Sequence, residues 1–240
     1  MDLKTLLPSH EAMFRWDAPW TEQSTGIATR QLRNRLASGA RITATDLNPP
    51  MLAIAQTKFQ PEEHVDFRPA DATALPFPDN AFDAVVCQFG MMFFPDKEAS
   101  FREVHRVLAQ GGRYLFNVRD PSRGLHPTTE VVANFFPSDP PQFYKVPFSY
   151  YRIDPIKDSL EAVGFSDLTF TVLTFEKEIG NAHAFARGLI HGNPIVDEIR
   201  KRGGDPDKVV DALTEALRRQ YGADPAPMTL QAIVIEATKR

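Results

Sequence analysis

The sequence predicts an α/β protein with a doubly wound, mostly parallel sheet and a helical insertion before the last strand. Three observations carry this. Strand and helix signals alternate from about residue 26 to residue 120, the pattern that parallel strands joined by right-handed crossovers require. The run Phe82-Asp83-Ala84-Val85-Val86-Cys87 is compact and apolar, as a strand covered on both faces should be. Residues 181–221 read as helical between two strand signals, one near Leu168–Phe175 and one at Ala232-Ile233-Val234-Ile235.

The elements follow in order. Gly26 to Leu36 sets Ile27, Leu32 and Leu36 among polar residues, a helix with one apolar stripe. Arg41 to Asp46 is short and β-branched, so it reads as a strand ending on an acid. Pro50 suits the first turn of the next helix, which carries Met51, Leu52, Ile54 and Ala55. Val65-Asp66-Phe67-Arg68 alternates as a strand and runs into Asp71-Ala72. After the Phe82–Cys87 strand, residues 96–108 place Ala99, Val104, Val107 and Leu108 on a helix closed by Gly111-Gly112. Tyr114 to Val118 is the next strand. The seven prolines between residues 121 and 155 leave room only for a short helix near Thr128–Phe135. Residues 155–163 form a helix ending at Gly164. The insertion is interrupted by Gly192-Asn193-Pro194 and Gly203-Gly204. Its last helix opens with Asp205 as cap and Pro206 at the first position, then buries Val209, Val210, Leu213 and Leu217 on one face.

Composition excludes several classes. Of 240 residues, 42% are hydrophobic and 24% charged, which is globular rather than disordered. Lys plus Arg number 27 against 31 Asp plus Glu, a net charge of −4 that disfavours nucleic acid as a partner. No apolar run approaches the roughly 20 residues of a membrane helix, and Met1-Asp2-Leu3-Lys4 is no signal peptide. The expectation is a cytoplasmic protein without a membrane partner. The single cysteine, Cys87, rules out an internal disulfide framework. His183 and His191 lie eight apart with no third ligand in view, so no metal is expected.

In an open parallel sheet, ligands sit beyond the carboxyl ends of the strands. Asp46 ends the first recognisable strand, where a carboxylate can accept both hydroxyls of a ribose. Asp71-Ala72 follows the second, placed to meet an adenine edge. Gln88-Phe89 follows the third, and Ser24-Thr25-Gly26 stands at a helix start. Each has a plainer reading. Asp46 can cap the helix at Pro49-Pro50, Asp71 can cap a turn before Pro76, and Gln88 can simply bond backbone.

Taken together, Thr25-Gly26-Ile27-Ala28-Thr29, Ala44-Thr45-Asp46-Leu47-Asn48-Pro49-Pro50-Met51-Leu52, Asp71 to Phe77, Phe82 to Val86, and Arg102 to Leu108 with Gly111-Gly112 resemble consecutive motifs of class I S-adenosylmethionine-dependent methyltransferases. The nearest likeness is the small-molecule subgroup that includes the ubiquinone and menaquinone C-methyltransferases. The resemblance covers about residues 24–118. It implies a Rossmann-like sheet, S-adenosylmethionine as cofactor, and methyl transfer to a small or medium organic acceptor. It implies Asp46 on the ribose, Leu47 and Ala72 packing the adenine, Asp71 on its amino group, Gly26 in the cofactor loop, and Gln88 beside the methyl. The chain then reads as one domain, 1–240, with a cofactor-binding half at 24–120 and an acceptor-side half at 121–240. Tyr144, Tyr150, Tyr151 and His126 fall where such an acceptor pocket forms. No histidine or carboxylate announces a general base, so the catalytic residues stay unassigned.

The chain departs from the family in one place. A first strand and a glycine-rich loop should precede Gly26, yet Ser24 stands where another glycine belongs, and residues 1–23 hold no β-branched apolar run. A sheet without its central strand leaves two rows of backbone groups to be paired some other way. The expectation is weakened cofactor binding. The rival functional reading is accordingly a methyltransferase-like binding or scaffold protein. A nicotinamide-dependent dehydrogenase would share the ribose-binding acid, but its G-x-G-x-x-G is absent.

Overall fold

The structure, a computed structural model, describes residues 26–120 and 126–240. The chain divides into two compact units, Met1–Pro76 and Phe77–Arg240. The missing first strand would fall within residues 1–25, outside the described residues.

In the first unit, α1 (Ile27–Arg35) leads to β1 (Ile42–Asp46), α2 (Pro49–Gln56), a 3-10 turn (Pro61–Glu63) and β2 (Val65–Pro69). Pro49 and Pro50 occupy the first helical positions, where the N–H groups have no partner in the helix. The two strands are parallel, in register from Ile42 opposite Val65 to Asp46 opposite Pro69. Leu52 and Ala55 are the only buried apolar side chains among the described residues of this unit. Much of the remaining hold is polar. Arg33 is buried and donates to the carbonyls of Ala40 (2.6 Å), Leu36 (3.1 Å) and Glu63 (3.2 Å), and also to that of Ala37. Arg30 pairs with Glu63 and lies 4.0 Å over the Phe59 ring. Those hydrogen bonds from Arg30, then one from the Gln60 amide, pull the Glu63 carboxyl down to about 2.

The second unit holds β3 (Phe82–Gln88), α3 (Lys97–Val107), β4 (Leu108–Arg119), α4 (His126–Phe135), α5 (Ile153–Val163), β5 (Phe165–Ile179), α6 (Ala182–His191), α7 (Ile195–Lys201), α8 (Pro206–Tyr221) and β6 (Ala226–Lys239). The strand order is β3-β4-β6-β5. β3 and β4 are parallel, and β6 is antiparallel to both β4 and β5. Three strands therefore point one way and β6 alone is reversed, which is the mostly parallel sheet the sequence predicts. The Asp96 carboxylate caps α3 by accepting from the Ala99 amide at 2.8 Å. Phe101, Val104 and Val107 are buried, with the Phe101 ring 5.7 Å from Phe116 and 6.3 Å from Tyr114 of β4. On α8, Val209, Val210, Leu213 and Leu217 are all buried, as expected. Each such side chain contributes roughly 1.5–3 kcal/mol on burial.

Three expectations need correcting. β3 is not covered on both faces: Val86 is 41% exposed and Ala84 is exposed too. Among the described residues β3 pairs only with β4, so it is an edge of its sheet. Gly111-Gly112 do not close the helix, which ends at Val107 and passes straight into β4. They instead form an irregularity in which Phe82 faces Leu108 but Ala84 faces Arg113. Gly111 has φ +76°, and a Cβ on Gly112 would lie 2.7 Å from the Ala109 carbonyl. Finally, β5 and β6 are far longer than their apolar centres suggest, because they pair with each other from Phe165–Lys239 to Ile179–Ala226.

That pairing places the insertion. Asn117 lies opposite Val234 and Arg119 opposite Ala232, so β6 begins beyond the carboxyl end of β4. Helices α6, α7 and α8 thus leave and rejoin the sheet at the edge where β3 ends in Gln88.

Candidate functional site

In the first unit the fold brings Asp46 and Asp71 to one edge. They follow the carboxyl ends of adjacent parallel strands, and the Ala70 amide donates to the Asp46 carbonyl at 3.1 Å. Asp46 Oδ1 accepts from the Asn48 amide at 2.8 Å. Asp71 Oδ1 accepts from the Thr73 amide at 2.8 Å and from its hydroxyl at 2.7 Å. These two bonds, the amide first, hold the Asp71 carboxyl below its usual range. Both acids therefore do act as local caps. In both, only Oδ1 does so, and Oδ2 makes no hydrogen bond among the described residues. The plain and the functional readings are thus compatible, since one oxygen fixes the rotamer and the other stays available.

Leu47 follows Asp46 and is 73% exposed, the most exposed large apolar side chain among the described residues. Ala72 is half-buried beside Asp71. Gly26 opens α1 with φ +88°, and a Cβ there would meet Ala55 Cβ at 3.0 Å and the Phe59 ring at 3.3 Å. A glycine is thus required by the backbone and by the packing of α1 on α2, before any ligand is considered.

In the second unit Gln88 is half-buried at the end of β3, opposite Asn117 of β4. Phe89 follows with φ +49°, an unusual conformation for a bulky residue. Its amide is held by Asn117 Oδ1 at 2.7 Å. Strain of this kind costs on the order of 1–3 kcal/mol and persists only where neighbours impose it. The Arg119 guanidinium lies over the Phe89 ring, 5.2 Å from its centroid. Sequence reasoning missed Arg119, because it searched strand ends for acids and amides. A cation one residue past an apolar strand was the available signal.

Tyr144 is buried and donates its hydroxyl to the Leu189 carbonyl of α6 at 2.6 Å. Tyr150 is half-buried beneath Lys97 Nζ, 5.0 Å from its ring centroid, while Tyr151 is 36% exposed. The His126 side chain lies outside the described residues. His191 Nε2 meets Asp207 Oδ1 at 2.9 Å and His183 lies 3.9 Å from Asp211, both linking α6 to α8. Burial pushes the Cys87 thiol up to about 11, so it stays protonated and unreactive. Among the described residues no group of three His, Cys, Asp or Glu could hold a metal ion. None of their helices is long and apolar enough to cross a membrane.

Comparison with known proteins adds to this geometry. Residues 23–116 match the family model described as a methyltransferase domain. The demethylmenaquinone methyltransferase of Thermus thermophilus is 50% identical over 92 residues, 38% of this chain and 41% of that protein. The ubiquinone/menaquinone biosynthesis C-methyltransferase UbiE of Pseudoalteromonas translucida is 27% identical over 179 residues, 69% of this chain and 70% of that protein. The chain thus spans less than half the length of its Thermus relative. The crystal structure of the YcgJ protein from Bacillus shares the fold, with a TM-score of 0.58 and 20% identity over 90% of this chain and 88% of that one. Residues 23–116 are therefore similar to a methyltransferase domain. Within that class the likeness is to the ubiquinone and menaquinone C-methyltransferase subgroup.

Proposed function

We propose that this chain binds S-adenosylmethionine and transfers its methyl group to a small or medium organic acceptor. One observation carries the reading. Asp46 and Asp71 stand at the ends of neighbouring parallel strands, each with Oδ1 tied locally and Oδ2 available, and Leu47 is exposed between them in sequence. An acid pair and a bare apolar side chain at one sheet edge suit a ribose and an adenine. In this reading Asp46 accepts from the ribose hydroxyls and Asp71 from the adenine amino group. Leu47 and Ala72 pack the ring, and Gly26 opens the helix beside it. Gln88, at the end of β3, keeps the role that the family resemblance gives it.

When bound, the cofactor supplies an electrophilic methyl: the acceptor's electron pair forms the new bond to carbon while the carbon–sulfur pair stays on sulfur. Such a displacement asks little covalent help from the protein, mainly in-line placement. Asp46 and Asp71 fix one end, their rotamers set by the Asn48 and Thr73 amides. A cytoplasmic location belongs to the same reading and is checked by fractionating cells that express the chain.

The rival, a scaffold without cofactor, is favoured by a specific fact: the packing of Gly26 on Ala55 explains that glycine with no ligand. An isotherm with S-adenosylhomocysteine separates the two. Asp46→Ala removes charge-assisted hydrogen bonds worth about 1.5–3 kcal/mol, so affinity should fall roughly 10- to 150-fold with the fold intact. If the wild-type chain gives no heat of binding, the scaffold reading stands.

A further inference from the structure

We propose that Thr73 sets the base specificity of the nucleoside site: by locking Asp71 in one rotamer it selects a 6-aminopurine over a 6-oxopurine. The inference rests on the methyltransferase reading and deepens it. Every residue it needs lies in the first unit.

The turn supplies the first ground. The Ala74 amide donates to the Asp71 carbonyl at 3.0 Å, closing a turn from Asp71 to Ala74 beyond the carboxyl end of β2. An aspartate that opens such a turn ordinarily accepts from the amide two residues on. Asp71 Oδ1 does so from Thr73, at 2.8 Å. The Thr73 hydroxyl is an addition: it reaches the same oxygen at 2.7 Å, although the turn is closed without it. Thr73 is therefore a positioning residue, acting on a ligand through Asp71.

The number of acceptor positions is the second ground. An ionised carboxylate offers about four, two on each oxygen. At Asp71 the amide and the hydroxyl of Thr73 fill those of Oδ1, so Oδ2 is left to serve an incoming N–H. At Asp46 the Asn48 amide alone donates, at 2.8 Å, and both oxygens keep room. The two acids thus suit different groups. Asp46 can take the paired hydroxyls of a ribose, and Asp71 a single donor from a fixed direction. The two bonds to Asp71, the amide first, also hold its carboxyl below the usual range. At neutral pH it is ionised and has no proton to donate.

Purine chemistry is the third. Adenine presents an exocyclic N–H at position 6. Hypoxanthine presents a carbonyl oxygen there, which an ionised carboxylate repels, and carries its donor on the neighbouring N1. A carboxylate free to turn could follow that displaced donor. One held at Oδ1 by two bonds from a single residue cannot, and the 6-oxo base then sets an acceptor against an acceptor. A site built to hydrogen-bond one N–H rejects the analogue that lacks it. Removing the hydroxyl releases one of the two bonds, because the Thr73 amide belongs to the backbone and stays. Specificity should then fall without being lost.

The test compares S-adenosylhomocysteine with S-inosylhomocysteine, which differ only in the base, by calorimetric titration at neutral pH. Wild-type protein, Thr73→Val, Thr73→Ser and Asp46→Ala are titrated side by side. Wild type should prefer the adenine nucleoside by about 10- to 100-fold. Thr73→Val keeps the shape and loses the hydroxyl, so the preference should shrink roughly 3- to 10-fold, chiefly through tighter binding of the inosine nucleoside. Thr73→Ser should restore it. Asp46→Ala should weaken both nucleosides alike, since they carry the same ribose. An unchanged preference in Thr73→Val, a parallel fall in both affinities, or no rescue in Thr73→Ser overturns the inference and leaves the methyltransferase reading standing. Failure of wild type to bind either nucleoside overturns that reading and the inference with it.

Discussion

The unit that carries Asp46 and Asp71 and the unit that carries Gln88 are held by different forces. In the second unit Phe101, Leu108, Ile156, Leu160, Leu189, Ile199 and Leu213 are sealed from solvent, and the sheet is four strands wide. Among the described residues of the first, two strands and a pair of buried apolar side chains are supplemented by Arg30, Arg33 and Glu63. Among the described residues, the acids that suit a nucleoside therefore stand on the part with fewer buried apolar side chains. Motif and core are separable: a loop chemistry can be kept where the packing beneath it is sparse, provided polar contacts hold the strand ends in register.

The largest effect should come from the second unit. Leu213→Ala removes a fully buried side chain and should cost about 2–5 kcal/mol, whereas Leu52→Ala, at a less enclosed position, should cost less. Urea unfolding followed by amide exchange reads each unit separately. Equal costs at the two sites would dissolve the contrast.

Acid should strike the other unit first. Glu63 has its pKa lowered to about 2 by Arg30 and the Gln60 amide. A depressed carboxyl contributes stability above its unfolded pKa and loses it as pH falls toward the folded one. Exchange protection in residues 26–76 should therefore hold above pH ~5 and decline between about pH 4.5 and 2, and Glu63→Gln should flatten that decline. Acid loss that begins in the second unit would count against the polar account of the first.

Smallest is a gain. Thr128 Oγ1 is fully buried in α4 with no hydrogen-bond partner among the described residues. Thr128→Val keeps the shape and removes the unsatisfied hydroxyl, so melting should rise by the equivalent of about 1 kcal/mol. A loss of similar size would mean that the hydroxyl is satisfied by water in solution.

Much of this contrast was legible in the sequence, and what was not has physical causes. The insertion could be read because its signals are local: Asp205 accepts from the Asp207 amide, Pro206 starts α8, and glycines break the helices. Asp46 and Asp71 could be read because order and spacing survive whatever lies beneath them. The ends of β5 could not, since Glu176-Lys177-Glu178 looks polar and becomes strand only through pairing with Pro227-Met228-Thr229. The exposure of Val86 was hidden as well, because an apolar run states what a strand prefers and not which neighbours it has.

Hydrogen exchange with and without S-adenosylhomocysteine tests the central claim, that a nucleoside is held at the strand ends of the first unit. The amides of Leu47, Asn48 and Thr73 should slow when the nucleoside is added, as Asp46 and Asp71 are fixed and Leu47 is covered, and Asp46→Ala should abolish the change. Slowing confined to residues away from 46–48 and 71–73, or no slowing at saturating nucleoside, would contradict it.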